Sequence, residues 1–329
     1  MDRTPKFAVR MCVWLLALWP ALGAEPSSDP STSPAPRPPD SGQQPQRRRR
    51  LPLQPITDAA KVERDVTYGK VGEIELKLDI YFPRKTDGKP LPVAVYVHGG
   101  GWRNGDKAQG AGAMAIPELV KRGYLVCSIN YRLAPEFKFP AQIEDTKCAI
   151  RYLRAHAKEY NLDPERIGVW GGSAGGHLAA LLGTSDASSG LEGKGGWAEQ
   201  SSRVQAVVDM FGPADLTVEF AGGNSQVGKN VFGASSIKDE VLKRASPVTY
   251  VSKDDPPFLI LHGDQDRLVP LSQSEKLHER LKAAGVSSTL VVVKNAAHGF
   301  APQGGEPSPN RMELSRMIGD FFDKALRKP

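Results

Sequence analysis

The sequence predicts an α/β fold, one open and mostly parallel sheet of about eight strands with helices on both faces. Three observations carry this. Continuous apolar runs recur along the chain, as strands covered on both faces require. Helix-like segments separate those runs, which is the pattern of repeated β-α units. From residue 51 onward 279 residues remain, enough to bury a substantial core in one domain.

The first fifty residues stand apart from that domain. Arg3, Lys6 and Arg10 precede the apolar run MCVWLLALWPALG, which ends in small residues before Glu25. Residues 1–24 therefore read as a secretory signal peptide cleaved near Gly23 or Ala24, giving a secreted or periplasmic protein. A membrane-spanning helix needs about 20 apolar residues, and Pro20 interrupts this shorter run. No stable membrane insertion is expected after cleavage, with an uncleaved anchor as the alternative. A lipoprotein is disfavoured, because Cys12 precedes the apolar run. Residues 25–50 are rich in Pro, Ser and Gln and end in Arg47 to Arg50, a composition that cannot bury a core and reads as a disordered linker. The four arginines suit either a polyanionic surface or, more simply, a solvated linker end.

Within residues 51–329, Val66 to Tyr68 and Ile74 to Phe82 read as leading strands. The second alternates Ile74, Leu76, Leu78 and Ile80 with charged residues, as a half-exposed antiparallel edge would. The continuous apolar strands are Val93 to Val97, Leu125 to Asn130, Ile167 to Trp170, Val204 to Met210, Phe258 to His262 and Thr289 to Val293. Helices are expected over Pro140 to Tyr160, from Leu178, over Leu271 to Ala284 and near Met312 to Leu326. The chain holds 43 basic and 37 acidic residues, but residues 51–329 hold 35 and 33, so nothing in the domain points to nucleic acid. Cys127 and Cys148 lie in buried-looking elements and read as apolar fillers, although export would permit a disulfide.

Four polar motifs each follow a strand. In RIGVWGGSAGGH, Ser173 sits in a G-x-S-x-G turn between a strand and a helix, the form of a nucleophile elbow. Gly171 and Gly175 keep the flanks of that tight turn free of side chains. In LPVAVYVHGGGWRNGD, three glycines follow a strand, so the backbone N–H groups of Gly100 and Gly101, with that of Ala174, can face a developing oxyanion. Beside them, His98 reads as a loop brace, and Trp102 as either the wall of a short acyl pocket or a core residue. In FLILHGDQDRLVP, Asp266 is the preferred carboxylate to orient a histidine. Asp264, two residues earlier, is the alternative. In STLVVVKNAAHGF, His298 lies in a loop after a strand, and an imidazole with a pKa near 6.5 suits it to general base. The order Ser173, Asp266, His298 matches the order of one triad architecture.

Taken together, HGGGW, YRLAPEFKFPAQIED, GGSAGG, HGDQD and AHGF resemble the hormone-sensitive-lipase-like branch of the α/β-hydrolase superfamily, and especially its carbohydrate-esterase-like members of feruloyl or acetyl-xylan esterase type. The resemblance spans about residues 60 to 325. It implies the α/β-hydrolase fold, a Ser173–His298–Asp266 triad, and an oxyanion hole from Gly100, Gly101 and Ala174. It also implies structural roles for Glu136 and Asp145, with no metal or organic cofactor. The expected reaction is hydrolysis of short-acyl or aryl esters, small molecules or acetyl and feruloyl groups on plant polysaccharides. A lipase or peptidase on the same fold, or a silent binding module, is the alternative. Residues 184 to 203 and 219 to 246 follow no assignable pattern.

Overall fold

The computed structural model describes residues 59–218 and 226–327. The expected signal peptide and linker lie outside the described residues. Contacts divide the chain into Met1–Leu51 and Pro52–Pro329, and every described element belongs to the second unit.

Eight strands form one sheet: β1 Ala59–Val71, β2 Ile74–Pro83, β3 Leu91–Val97, β4 Leu125–Ile129, β5 Leu162–Gly172, β6 Ala206–Met210, β7 Phe258–Gly263 and β8 Ser288–Val293. Their spatial order is β1-β2-β4-β3-β5-β6-β7-β8. The β1–β2 and β2–β4 pairings are antiparallel, and the remaining five are parallel. The helices are α1 Ile116–Lys121, α2 Ala141–Ala155, α3 Ala174–Thr184, α4 Glu240–Arg244, α5 Ser272–Ala283 and α6 Arg311–Leu326. This is the α/β-hydrolase arrangement.

The pleat explains why the inner strands are apolar throughout. Successive side chains face opposite ways, so Val93, Val95 and Val97 pack beneath α2, α3 and α5, while Ala94 and Tyr96 pack with α1 and α6. Both layers are apolar, so a carboxyl on a strand between them, as at Asp209 on β6, is buried outright. Helix α6 starts at a capping box, in which Asn310 Oδ1 accepts from the N–H groups of Met312 and Glu313 while the Glu313 carboxylate accepts from the Asn310 N–H.

The edge of the sheet differs from the sequence expectation. β2 is an interior strand, and the exposed edge is β1, thirteen residues long where three were expected. The charged member that suggested solvent, Asp79, is fully buried. Its carboxylate is satisfied by Arg64 at 2.6 Å, by Lys107 at 3.2 Å and by the Asp65 N–H at 3.0 Å. β5 begins at Leu162, ahead of its apolar run, because Leu162 pairs with Leu91 although the intervening DPER is polar. The helix expected to reach Tyr160 stops at Ala155, and His156, which follows it, packs against Tyr152 and Trp197. Cys127 and Cys148 are buried free thiols.

Candidate active site

The site forms where the chain reverses its direction of travel across the sheet. From β3 the chain steps one way to β4, and from β5 it steps the other way to β6. Loops leaving the carboxyl ends of neighbouring β3 and β5 therefore diverge and leave a crevice. One of those loops carries Gly99 to Gly101, and the other carries Ser173.

Ser173 has φ 58° and ψ −123°, a left-handed conformation rare for a residue with a side chain. Surrounding contacts hold it there: its N–H donates to Met210 O at 2.9 Å and its carbonyl accepts the N–H of His177 at 2.9 Å. The tightness of the turn is measurable at its flanks. A Cβ on Gly171 would lie 2.3 Å from Gly175 O, and one on Gly175 would lie 2.1 Å from Val97 O. Neither position admits even alanine without moving backbone.

The Ser173 hydroxyl donates to His298 Nε2 at 2.9 Å, and His298 Nδ1 donates to Asp266 Oδ2 at 2.7 Å. The N–H groups of Leu268 and Val269 donate to Asp266 Oδ1, each at 2.9 Å. Burial opposes the charge on Asp266, yet hydrogen bonds from His262, His298 and the Val269 N–H outweigh it and hold the carboxyl well below the usual carboxylate range. Asp264 turns away, facing Lys294 at 3.6 Å and the Ala296 N–H at 3.4 Å. The two aspartates diverge because the chain leaves β7 at Gly263 and turns, the Asp266 N–H closing onto Gly263 O at 3.4 Å.

Gly100 and Gly101 lie in a tight turn in which Gly100 O accepts the N–H groups of Arg103 and Asn104. Their own N–H groups have no acceptor among the described residues. Ala174 opens α3, where the first N–H groups have no partner within the helix. With Ser173 and His298 these glycines line a cleft of about 650 Å³. A larger groove of about 710 Å³, between Arg203, Asp254 and Lys324, lies at the opposite end of the strands and contains none of these residues.

Residues 78–281, more than half of the chain, match the BD-FAE family. The chain belongs to the BD-FAE family. It is 35% identical to the esterase LipQ of Mycobacterium tuberculosis over 72% of this chain and 56% of LipQ. It spans little more than half the length of the curated relatives it matches. Among solved structures, a truncated carbohydrate esterase from gut microbiota is similar over 82% of this chain and 98% of that one, with 31% identity and a TM-score of 0.71. A propionate-bound esterase from the planctomycete Thermogutta terrifontis is similar over 82% and 95%, with 28% identity and a TM-score of 0.66.

Two expectations need correction in this BD-FAE chain. Trp102 is a core residue and does not line the cleft: it is buried, its indole N–H donates to His177 Nδ1 at 3.2 Å, and it packs edge-on against Phe232. The composition around it, HGGGW, shows that a tryptophan follows the glycines but not which way it turns. Glu136 was expected to brace the active-site face, but it is exposed and has no hydrogen-bond or ion-pair partner among the described residues. Asp145 does brace it, gripping the Arg132 guanidinium at 2.7 to 3.0 Å and accepting the Arg132 N–H at 2.8 Å. His177 lies in the first turn of α3. It is fully buried, burial pushes its pKa down to about 4 against the hydrogen bond to Ala245 O, and it serves as a neutral strut between Trp102 and Ala245.

Sequence reasoning missed two neighbours of the site. Phe211 lines the cleft with its ring 4.9 Å from that of His298, edge to face. His262 is fully buried beneath Asp266, with Nε2 donating to Val269 O at 2.9 Å and lying 3.5 Å from Asp266 Oδ2. Ser274 Oγ–H, 2.7 Å from Nδ1, is the donor that leaves the proton on Nε2. The only sequence signal for it was the strand end at HGD.

Proposed function

We propose that this protein is an exported serine carboxylesterase that hydrolyses short-acyl or aryl esters through an acyl-enzyme. The observation that carries this reading is the chain of two hydrogen bonds from Ser173 through His298 to Asp266, 2.9 and 2.7 Å long, built on a serine with φ 58°. Ser173 Oγ attacks the ester carbonyl as His298 Nε2 takes its proton, and Asp266 stabilises the resulting imidazolium. The N–H groups of Gly100, Gly101 and Ala174 receive the negative oxygen of the tetrahedral intermediate, each such donor lowering the barrier by about 3 to 4 kcal/mol. His298 returns the proton to the leaving alcohol, and water then repeats the sequence on the acyl-enzyme to release the acid.

The esterase names of the relatives support this chemistry, and the propionate-bound structure supports a small acyl group. The likeness to a gut carbohydrate esterase, together with the leader-like amino terminus, supports acetyl or feruloyl groups on exported polysaccharide substrates. The test is hydrolysis of nitrophenyl esters from acetyl to dodecanoyl by the full chain beside Ser173→Ala. Serine-dependent activity confined to short chains is the expected result. Activity peaking at long chains would indicate a lipase, and a folded protein inactive on every ester would return the peptidase or silent-module reading.

A further inference from the structure

The charge around the cleft is one-sided. Among the described residues Arg103 is the only arginine, lysine or carboxylate lining the cleft, and it is exposed. Two more exposed arginines stand at its rim. Arg311 donates from Nη2 to Gly299 O at 3.0 Å, and Gly299 lines the cleft; Arg267 immediately precedes Leu268, which also lines it. Among the described residues none of these three arginines has a carboxylate partner. Elsewhere in the molecule Arg64, Arg122, Arg132, Arg151, Arg166 and Arg327 have one, whereas Arg154, Arg203 and Arg244 donate to backbone carbonyls instead. Among the described residues the acids close in sequence to Arg103 and Arg267 are already engaged. Asp266 faces His298, Asp264 faces Lys294, and Asp106 accepts the Ala108 N–H and the Asn130 amide.

The position of Arg103 is well defined. Its N–H and that of Asn104 both close onto Gly100 O, so the turn that presents the Gly100 and Gly101 N–H groups also fixes where the Arg103 side chain leaves the backbone. A guanidinium held there without a partner offers a planar set of donors that matches a carboxylate. Phe211, Val227 and Leu268, which also line the cleft, are apolar. Among the described residues the cleft thus combines apolar side chains with one cation.

We propose that Arg103 selects esters that carry a carboxylate, with Arg267 and Arg311 adding a positive field that draws such substrates in. This rests on the esterase reading above and specifies its substrate class as acidic esters, such as an acylated polymer bearing uronic acids. The carboxylate belongs to the leaving alcohol or to the acyl group, and paired substrates separate these. Phenyl acetate is compared with 4-acetoxybenzoate, whose carboxylate is on the alcohol side, and phenyl butyrate with monophenyl succinate, whose carboxylate is on the acyl side.

With the full chain at low salt, kcat/KM for the carboxylate member of at least one pair is expected to exceed that of its neutral partner about tenfold. Raising the salt should erode that ratio, because an exposed cation is screened. Arg103→Gln should bring the ratio close to one through KM, while Arg103→Lys should retain part of it. Equal or lower kcat/KM for both carboxylate members, or a ratio unchanged in Arg103→Gln, would overturn the proposal. Absence of Ser173-dependent hydrolysis of the neutral esters would instead remove the esterase reading on which it rests.

Discussion

Asp266 and Asp264 are chemically identical and two residues apart, yet only one faces His298. Asp266 has its carboxylate inaccessible to solvent, held by the histidine and by two backbone N–H groups; Asp264 meets a lysine on the surface. Replacing Asp266 by Asn should lower kcat by about four orders of magnitude, because the amide cannot hold the imidazole in the required tautomer or stabilise its cation. Asp264→Asn should stay near wild type in the same assay. If the Asp264 change alone abolished turnover, the assignment would be reversed. Strand geometry alone does not separate this pair, since residues two apart in an extended chain share a face; the turn after β7, which ends at Gly263, sends the two carboxylates different ways. No sequence rule places Trp102 either, which follows a run of glycines whose turn points it into the core beside His177.

At the scale of elements, the elbow is a strand and a helix joined with almost no space between them. The 2.1 Å approach of a Gly175 Cβ to Val97 O, and 2.7 Å to His98 O, involves backbone of β3 and of the loop after it. Gly175→Ala must therefore displace either α3 or the glycine turn that faces Ser173. The expected cost is roughly 3 kcal/mol or more of stability, with activity lost even in the fraction that folds. Chemical denaturation and an ester assay on the same preparation measure both, and a fully active, equally stable variant would contradict the account. The strand and helix on either side were legible from apolar pattern alone. The edge strands were not, because Asp79 looked solvent-facing until Arg64 and Lys107 were brought to it from other segments.

For the whole molecule, the pH dependence of stability contains one unusual contribution. Asp209 on β6 is fully buried, one carboxylate oxygen has no hydrogen-bond partner among the described residues, and burial pushes its pKa up to about 6 against the attraction of His262 and the Gly212 N–H. In the unfolded chain an aspartate titrates near 3.9. Between these values the unfolded chain has released the proton and the folded protein still holds it, so stability from this group is complete below about pH 4 and is lost as pH rises through about 6. The full span is about 3 kcal/mol. Asp209→Asn cannot titrate, so its melting temperature relative to wild type should rise between pH 4 and pH 7. A pH-independent difference would show that Asp209 carries its charge at no cost. Asp266 acts in the opposite sense: its lowered pKa favours the fold above the ordinary carboxylate range and is common to both proteins.

By itself the sequence determined what depends on local chemistry and on pattern along the chain. Apolar runs separated by helical segments required a mostly parallel sheet covered on both faces, and the glycines around Ser173 required a sharp turn. Strand-following motifs placed Ser173, Asp266, His298 and the glycine turn of Gly100 and Gly101 at one end of that sheet. Tertiary structure alone decided which side chains turn inward and which charges remain unpaired. Trp102 went to the core, Asp79 was buried by distant cations, His262 came to lie beneath Asp266, and Arg103 was left facing the cleft without an acid. Those outcomes depend on partners far away in sequence, and burial makes the presence or absence of such a partner decisive for a polar group.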